Sequence, residues 1–147
     1  MAYKKIVCGV TASAHAQKAA LEAARLARQD GAELVYVYAV DLDFLKGGRM
    51  GNLSQDVIAQ SIEKIGKQIV DTAEHIAASE GVKPEKIVRR GTVLDVLGQV
   101  MSEHKADLLV LGHEERTFFE KHLFKGDVED HVQELKARTG AEVRVIQ

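Results

Sequence analysis

The chain has 147 residues, of which 46% are hydrophobic and 29% are charged, and its formal net charge at pH 7 is −2. This length and composition predict one domain with a full-sized core, which we assign to residues 1–147. The slightly negative net charge does not indicate a basic surface for binding nucleic acid. No apolar run approaches the roughly 20 residues that span a membrane.

The first part of the chain predicts a strand, a helix and a second strand. Residues 5–10 are mostly apolar and predict the first strand. No charged-then-apolar leader precedes them, so we expect a cytoplasmic protein. Residues 13–29 form an alanine-rich helical pattern that ends at Gly31 and could pack closely on a sheet. Residues 33–40 contain a Val-Tyr-Val-Tyr run, which strands favour. Cys8 is the only cysteine, which excludes an intrachain disulfide, and we expect its thiol to be buried and inert.

A glycine-containing segment at residues 41–52 predicts a surface loop, and Ser54 can cap the helix that follows it. This helix carries apolar residues at steps of three and four, which predict one buried stripe. The stripe consists of Ile58, Ile62, Ile65, Ile69, Ala73 and Ile76. Gly81 and Pro84 mark the end of the helix.

The second half of the chain continues the alternation of strands and helices. The predicted elements are a strand at 86–90, a helix that begins at Thr92, a strand at 107–111, a helix at 127–138 that Gly140 ends, and a strand at 142–147. Thr92 with Asp95 three residues later indicates a capped helix start. The residues expected to face inward are Leu94, Leu97, Val100 and Met101 in the first of these helices, and Val128, Val132 and Leu135 in the second. The complete order predicts an α/β fold, in which a parallel sheet carries helices on both faces.

The fourth strand contains the most informative motif. An apolar run ends at Gly112, and a polar loop leads to Gly126 and Asp127, where a helical pattern begins. Strand, glycine, loop and helix start form the layout of a phosphate-binding cradle. In this chain Glu114 and Glu115 place negative charge where phosphate oxygens would lie, and Asp127 could itself occupy the N–H groups of the helix start.

Several of these segments together resemble the universal stress protein family over nearly the full chain. The resemblance depends on the opening strand, the alanine-rich helix after it, the run Leu34–Val37, and Gly91 followed by a helix and the run 106–113. It implies a Rossmann-like, adenine nucleotide alpha hydrolase-like domain with five parallel strands in the order 3-2-1-4-5. A crevice would then open between the first and fourth strands at their carboxyl ends, flanked by Thr11 and Gly112.

The family has two branches, and the sequence differs from the one that binds ATP. That branch carries an aspartate after strand one and a Gly-x-x-Gly, nine residues, Gly-Ser/Thr signature after strand four. Here Thr11 stands at the aspartate position and Glu115 at the second glycine. Ten residues separate Glu115 from Gly126, and Asp127 replaces the Ser/Thr. The resemblance therefore implies the branch typified by universal stress protein A, which does not bind ATP readily.

The candidate ligand site comprises the residues that would line the crevice. They are Val10, Thr11, Val40, Asp41, Gly112, His113, Gly126 and Asp127. Among the histidines, His113 alone is a candidate ligand contact or pH-sensitive group, and no cysteine or carboxylate pattern predicts a metal site. The nearby Phe118, Phe119 and Phe124 could dock a partner, although anchoring of their own loop is the simpler interpretation.

These observations predict a stress-response protein that is not an enzyme, needs no cofactor, and binds an unknown protein or small-molecule partner. The resemblance implies a homodimer formed through the last strand, at Val143, Arg144, Val145 and Ile146. The alternative is an ATP-binding member with slow ATPase or autophosphorylation activity. Ser13 would then be a conceivable phosphoacceptor, although helix capping also explains this residue. A redox sensor at Cys8 is a third possibility.

Overall fold

The computed structural model describes residues 2–11, 14–42, 55–112 and 128–146. Strands and helices alternate along the chain, with bounds within a few residues of those predicted. The elements are β1 (Lys5–Gly9), α1 (Ala14–Asp30), β2 (Glu33–Val40), α2 (Gln55–Ser79), β3 (Glu85–Arg90), α3 (Val93–His104), β4 (Leu108–Gly112), α4 (Val128–Thr139) and β5 (Glu142–Ile146). None of the described helices combines the length and apolar character that a membrane span requires.

The five strands form one parallel sheet in the order β3-β2-β1-β4-β5. This confirms the predicted class and strand order. The central pairing joins β1 to β4, with Val7 opposite Leu109. Asp107 fixes the start of this pairing because its two carboxylate oxygens accept the backbone N–H groups of Lys4 and Lys5, at 2.9 and 3.0 Å.

The sheet separates two apolar cores, each covered by two helices. Ile6 and Cys8 of β1 face α1 and α2, whereas Val7 between them faces α3 and α4. Helix α1 buries only alanines against the sheet, as predicted, and therefore lies close to it. The hydroxyl group of Tyr36 in β2 also donates a hydrogen bond to the carbonyl oxygen of Ala20 in α1, at 2.7 Å.

The predicted apolar stripe of α2 is wrong in its centre. Ile65 is 51% exposed, whereas the next residue, Gly66, is buried. A Cβ at position 66 would lie only 2.5 Å from Cδ1 of Tyr38, so the tyrosine ring of β2 packs directly on the backbone of α2. This contact turns Ile65 toward solvent and leaves Ala59, Val70, Ala73 and Ala77 as the buried apolar residues of the helix.

The local signals of α3 are confirmed more closely. The backbone N–H of Asp95 donates to Oγ1 of Thr92 at 3.2 Å, as the predicted cap requires. Val96, which the pattern did not single out, is fully buried, whereas the predicted Leu94 is only partly buried. The helix therefore presents an inner surface that is shifted slightly from the one expected.

Candidate functional site

The strand order reverses between β1 and β4, at the centre of the sheet, and we call this position the switch point. Strands β1 and β4 are neighbours, yet α1 follows β1 on one face of the sheet and α4 follows β4 on the other. Diverging helices leave a crevice at the carboxyl ends of two such strands, and ligands of open α/β sheets bind there. The structure therefore places a candidate ligand site beside Val10, Thr11 and Gly112.

The candidate residues after β1 and β2 divide into an exposed pair and a buried pair. Thr11 is exposed and Asp41 is partly exposed, so both side chains can meet a ligand. Val10 is 4% exposed and Val40 is fully buried, so these two residues form the apolar base of the site. The backbone N–H of Gly91 also donates to the carbonyl oxygen of Val40 at 3.0 Å, which ties the end of β2 to the start of the next crossover.

Gly112 has a structural role that the sequence interpretation missed. A Cβ at this position would lie 2.6 Å from the carbonyl carbon of His15 and 2.8 Å from the backbone nitrogen of Ala16. The end of β4 therefore touches the main chain in the first turn of α1. This close approach requires a glycine at position 112 whichever ligand binds. The contact also fixes the position of one wall of the crevice.

The remaining predicted features after β4 lie outside the described residues. These are His113, Glu114, Glu115, the three phenylalanines, Gly126 and Asp127. The same holds for Ser13 and for most of the predicted loop at 41–52, of which the structure describes residues 41 and 42. The roles suggested for them stay predictions.

A groove between α1 and α2 opens beside the crevice, and we call it the α1–α2 groove. Its volume is about 290 Å³, and Val10 and Thr11 of the crevice also line this groove. Its lining includes three alanines and three isoleucines, namely Ala16, Ala20, Ala73, Ile65, Ile69 and Ile76. The sequence contains its components, small residues on one helix and an apolar stripe on the other, but it does not show that the two helices are adjacent.

Cys8 lies in the core and gives no support to a redox function. Its side chain is fully buried, and burial raises the pKa of the thiol well above its usual range. A thiol in this state forms little of the reactive thiolate. Among the described residues, no group of three or more His, Cys, Asp or Glu side chains is arranged to hold a metal ion.

A doubly wound α/β domain with a crevice at its switch point belongs to a class of proteins that bind small molecules, often nucleotides. Within this class, the model of the universal stress protein family matches residues 2–134, and the chain belongs to that family.

Sequence and structural comparisons agree with this assignment. The chain is 28% identical over 130 residues to the universal stress protein MJ0531 of Methanocaldococcus jannaschii, covering 88% of this chain and 75% of that protein. A universal stress protein solved in complex with cAMP is similar in fold, with a TM-score of 0.67 and 23% identity over 100% of this chain and 98% of the other. The universal stress protein of Archaeoglobus fulgidus in complex with dAMP has a TM-score of 0.63 and 22% identity, with 100% of both chains covered.

Proposed function

We propose that this chain is a cytoplasmic stress-response protein that works by binding rather than by catalysis. Its ligand is a nucleotide with a single phosphate group, bound in the crevice at the carboxyl ends of β1 and β4. Its affinity for ATP is weak or absent, as in the branch typified by universal stress protein A. The observation that supports this proposal best is the switch point itself, where the exposed Thr11 lies beside the tight contact between Gly112 and α1.

The acidic residues that the sequence places after β2 and β4 disfavour a highly charged ligand, although the segment after β4 also contains the basic residues Arg116, Lys121 and Lys125. Asp41 follows β2, and the sequence adds Glu114, Glu115 and Asp127 after β4. Two like charges about 4 Å apart repel by roughly 4 kcal/mol at an effective dielectric constant near 20. A single phosphate carries a charge of about −1.5 to −2 and a triphosphate carries more, so the penalty rises with each added phosphate.

The ligands of similar proteins also support a monophosphate. The two solved universal stress proteins described above are complexes with cAMP and dAMP, each of which carries one phosphate group. Both proteins share the fold of this chain over essentially its full length. Thr11 is exposed and could act as a hydroxyl partner of the nucleotide, while Val10 and Val40 support the site from beneath as buried core residues.

Calorimetric titration of the full chain with AMP, cAMP, ADP and ATP tests the proposal. We expect a monophosphate to bind with a Kd below about 100 μM, and ATP to bind at least tenfold more weakly, a difference of about 1.4 kcal/mol. Thr11→Glu should weaken monophosphate binding because it adds a carboxylate at the crevice. Ser102→Glu is the matched control, since Ser102 is exposed on α3, which covers the opposite face from α1.

The outcome that would overturn the proposal is equally direct. An ATP Kd below about 10 μM, with AMP binding more weakly, would establish the alternative of an ATP-binding member. Incubation of the same protein with γ-labelled ATP would then show whether slow hydrolysis or autophosphorylation accompanies binding.

We further propose that the chain is a homodimer formed through β5. Within the described residues β5 pairs only with β4, so its other edge is open. Val143 and Val145 pack on one face of the sheet and Ile146 on the other, so β5 is a short strand that is largely apolar apart from Glu142 and Arg144. An open apolar edge strand is suited to pair with a second copy.

A further inference from the structure

Strand β5 carries two opposite charges on one face of the sheet. Ile146 packs with the core under α1 and α2, whereas Val143 and Val145 pack with the core under α3 and α4. Because successive residues of a strand alternate between the faces, Glu142 and Arg144 share the face of Ile146. Both side chains reach solvent, with exposed fractions of 52% and 38%. This edge of the sheet therefore presents one negative and one positive group two residues apart.

The contacts of Glu142 within its own chain leave its carboxylate able to take a further partner. Oε2 accepts a hydrogen bond from the hydroxyl group of Tyr3. Oε1 lies 3.8 Å from Nη2 of Arg144, which is longer than a hydrogen bond. A guanidinium group has five N–H donors and pairs with a carboxylate oxygen at about 2.7–2.9 Å. Both charged groups can therefore form a closer pair with a second molecule than they form with each other.

The backbone of β5 determines which of its residues can pair with another strand. The backbone N–H of Glu142 donates to the carbonyl oxygen of Asp107, just before β4, at 3.3 Å. Backbone groups of successive residues point to alternate sides of a strand, so those of Arg144 also point toward β4. Those of Val143 and Val145 point to the other side. A second strand would therefore form its hydrogen bonds with these two valines.

Three antiparallel registers of two β5 strands use these outward groups, and the charges distinguish them. If Val143 lies opposite Val145 of the second copy, the two Arg144 side chains lie directly opposite each other, and like charges in this position destabilise a sheet. If Val145 lies opposite its own equivalent, Arg144 lies opposite the apolar Ile146. If Val143 lies opposite its own equivalent, Glu142 of each copy lies opposite Arg144 of the other. Only this last register pairs opposite charges, and two-fold symmetry forms the pair twice.

We propose that two copies of this chain pair antiparallel through β5 with Val143 opposite Val143, and that Glu142 of each copy forms an ion pair with Arg144 of the other. This inference depends on the homodimer proposed above and specifies its interface. The strand is self-complementary in this register, whereas a shift by one residue on each strand brings like charges together. The two charged residues therefore select one alignment of the two copies.

Charge reversal followed by sedimentation velocity tests this register on the full chain. Glu142→Lys makes both cross-strand pairs Lys–Arg, and Arg144→Glu makes both Glu–Glu. We expect the dimer Kd of each variant to rise at least tenfold, a difference of about 1.4 kcal/mol, once circular dichroism has shown that both are folded. An equimolar mixture of the two variants restores both opposite-charge pairs in the mixed dimer. The mixture should therefore associate within about threefold of the native affinity, whereas a defect within one chain cannot be repaired by mixing.

Glu85→Lys and Lys67→Glu are the matched controls. Each reverses one exposed charge, but on β3 and α2, away from β5, so each variant alone should dimerise like the native chain. A monomeric native chain would overturn the dimer together with its register. A native dimer whose affinity is unchanged by Glu142→Lys would overturn the register alone. So would two monomeric variants at positions 142 and 144 whose mixture stays monomeric.

Discussion

Gly112 at the end of β4 lies against the main chain of His15 in α1, so closely that a Cβ at position 112 would be 2.6 Å from the carbonyl carbon of His15. The other atoms that this Cβ would meet, the carbonyl oxygen of His15 and the backbone nitrogen of Ala16, also belong to the main chain. No flexible side chain can move aside to accommodate a substitution. The contact therefore joins α1 to the sheet at the mouth of the candidate site.

We predict that Gly112→Ala lowers the free energy of unfolding by about 1–3 kcal/mol, because the backbones of β4 and α1 must separate. Urea denaturation followed by circular dichroism measures this change. Gly98→Ala is the control: Gly98 lies inside α3, and its Cβ would meet nothing closer than 3.9 Å. That substitution should instead stabilise the protein by about 0.4–1 kcal/mol. Equal stability of the native chain and Gly112→Ala would contradict the packing role.

The contact between Gly66 and Tyr38 supports a second prediction of the same kind. Gly66→Ala would improve helix propensity by about 1 kcal/mol in an isolated helix. Here the added methyl would lie 2.5 Å from the ring of Tyr38, so we expect net destabilisation of about 1–3 kcal/mol. Combining it with Tyr38→Ala removes the clash, and the pair should then show positive coupling in a double-mutant cycle. Additive effects of the two substitutions would be evidence against the contact.

Gly112 and Gly66 show which features of the fold could be predicted from the sequence and which could not. The order of the elements followed from alternating apolar patterns, and the cap at Thr92 followed from residues three positions apart, so both signals are local. The burial of Gly66 and the exposure of Ile65 depend on Tyr38 of β2. The helical period of α2 alone cannot reveal this contact. The period therefore predicted a stripe that includes Ile65, whereas packing against Tyr38 decided which residues are buried.

The candidate site shows the same limit. The family resemblance implied that Thr11 and Gly112 flank one crevice, and the parallel sheet brings them to its carboxyl edge. The pattern suggested a phosphate cradle at Gly112, but the reason that the structure gives for this glycine is its contact with His15. The α1–α2 groove could not be predicted, because it depends on the space between two helices that are separate in sequence.

A third prediction concerns the cap of α3. Thr92→Ala removes the oxygen that accepts the backbone N–H of Asp95, and we expect a loss of about 1 kcal/mol of unfolding free energy. Thr92→Ser keeps this oxygen and should stay within about 0.5 kcal/mol of the native chain. Thermal and urea unfolding of the three proteins provide the measurement. If the serine variant is as unstable as the alanine variant, the hydroxyl oxygen is not the source of the effect.

The buried thiol of Cys8 predicts a dependence of stability on alkaline pH. Burial raises the pKa of Cys8 from its usual value of 9.0, so the native thiol stays protonated while the thiol of the unfolded chain ionises. Above pH 9 the native state binds more protons, and unfolding becomes easier by up to about 1.4 kcal/mol per pH unit. Burial also raises the pKa of Tyr36 from its usual value of 10.0, so the free energy of unfolding should fall more steeply above pH 10.

Cys8→Ala isolates the contribution of the thiol. Its free energy of unfolding should be lower at pH 7, because a buried side chain is shortened, but should fall less between pH 9 and pH 10 than that of the native chain. Labelling with a thiol reagent gives an independent measurement: the native protein should react slowly, and the urea-unfolded protein fully. Fast labelling of the folded chain would contradict the burial and would renew interest in a redox role.

The last prediction tests the proposed dimer through the contrast between the two edges of the sheet. The edge strand β3 carries Lys86, Arg89 and Arg90, and charged side chains discourage edge pairing. At the other edge two of the five residues of β5 are charged, against four of the six residues of β3, so association should occur through β5.

Sedimentation velocity of the native chain should therefore show a dimer. Val145 also packs against the core, so the Val145→Glu variant is first shown to be folded by circular dichroism, and it should then be a monomer because a charge on β5 opposes edge pairing. Val57→Glu removes an equally apolar residue, but from the exposed surface of α2, so this control should remain a dimer. Calorimetric titration of the monomeric variant with AMP then separates assembly from ligand binding. The crevice at Thr11 and Gly112 lies between β1 and β4 of one chain, so the monomer should retain the affinity of the native protein. A native monomer, or a dimer that survives Val145→Glu, would show that β5 does not mediate association.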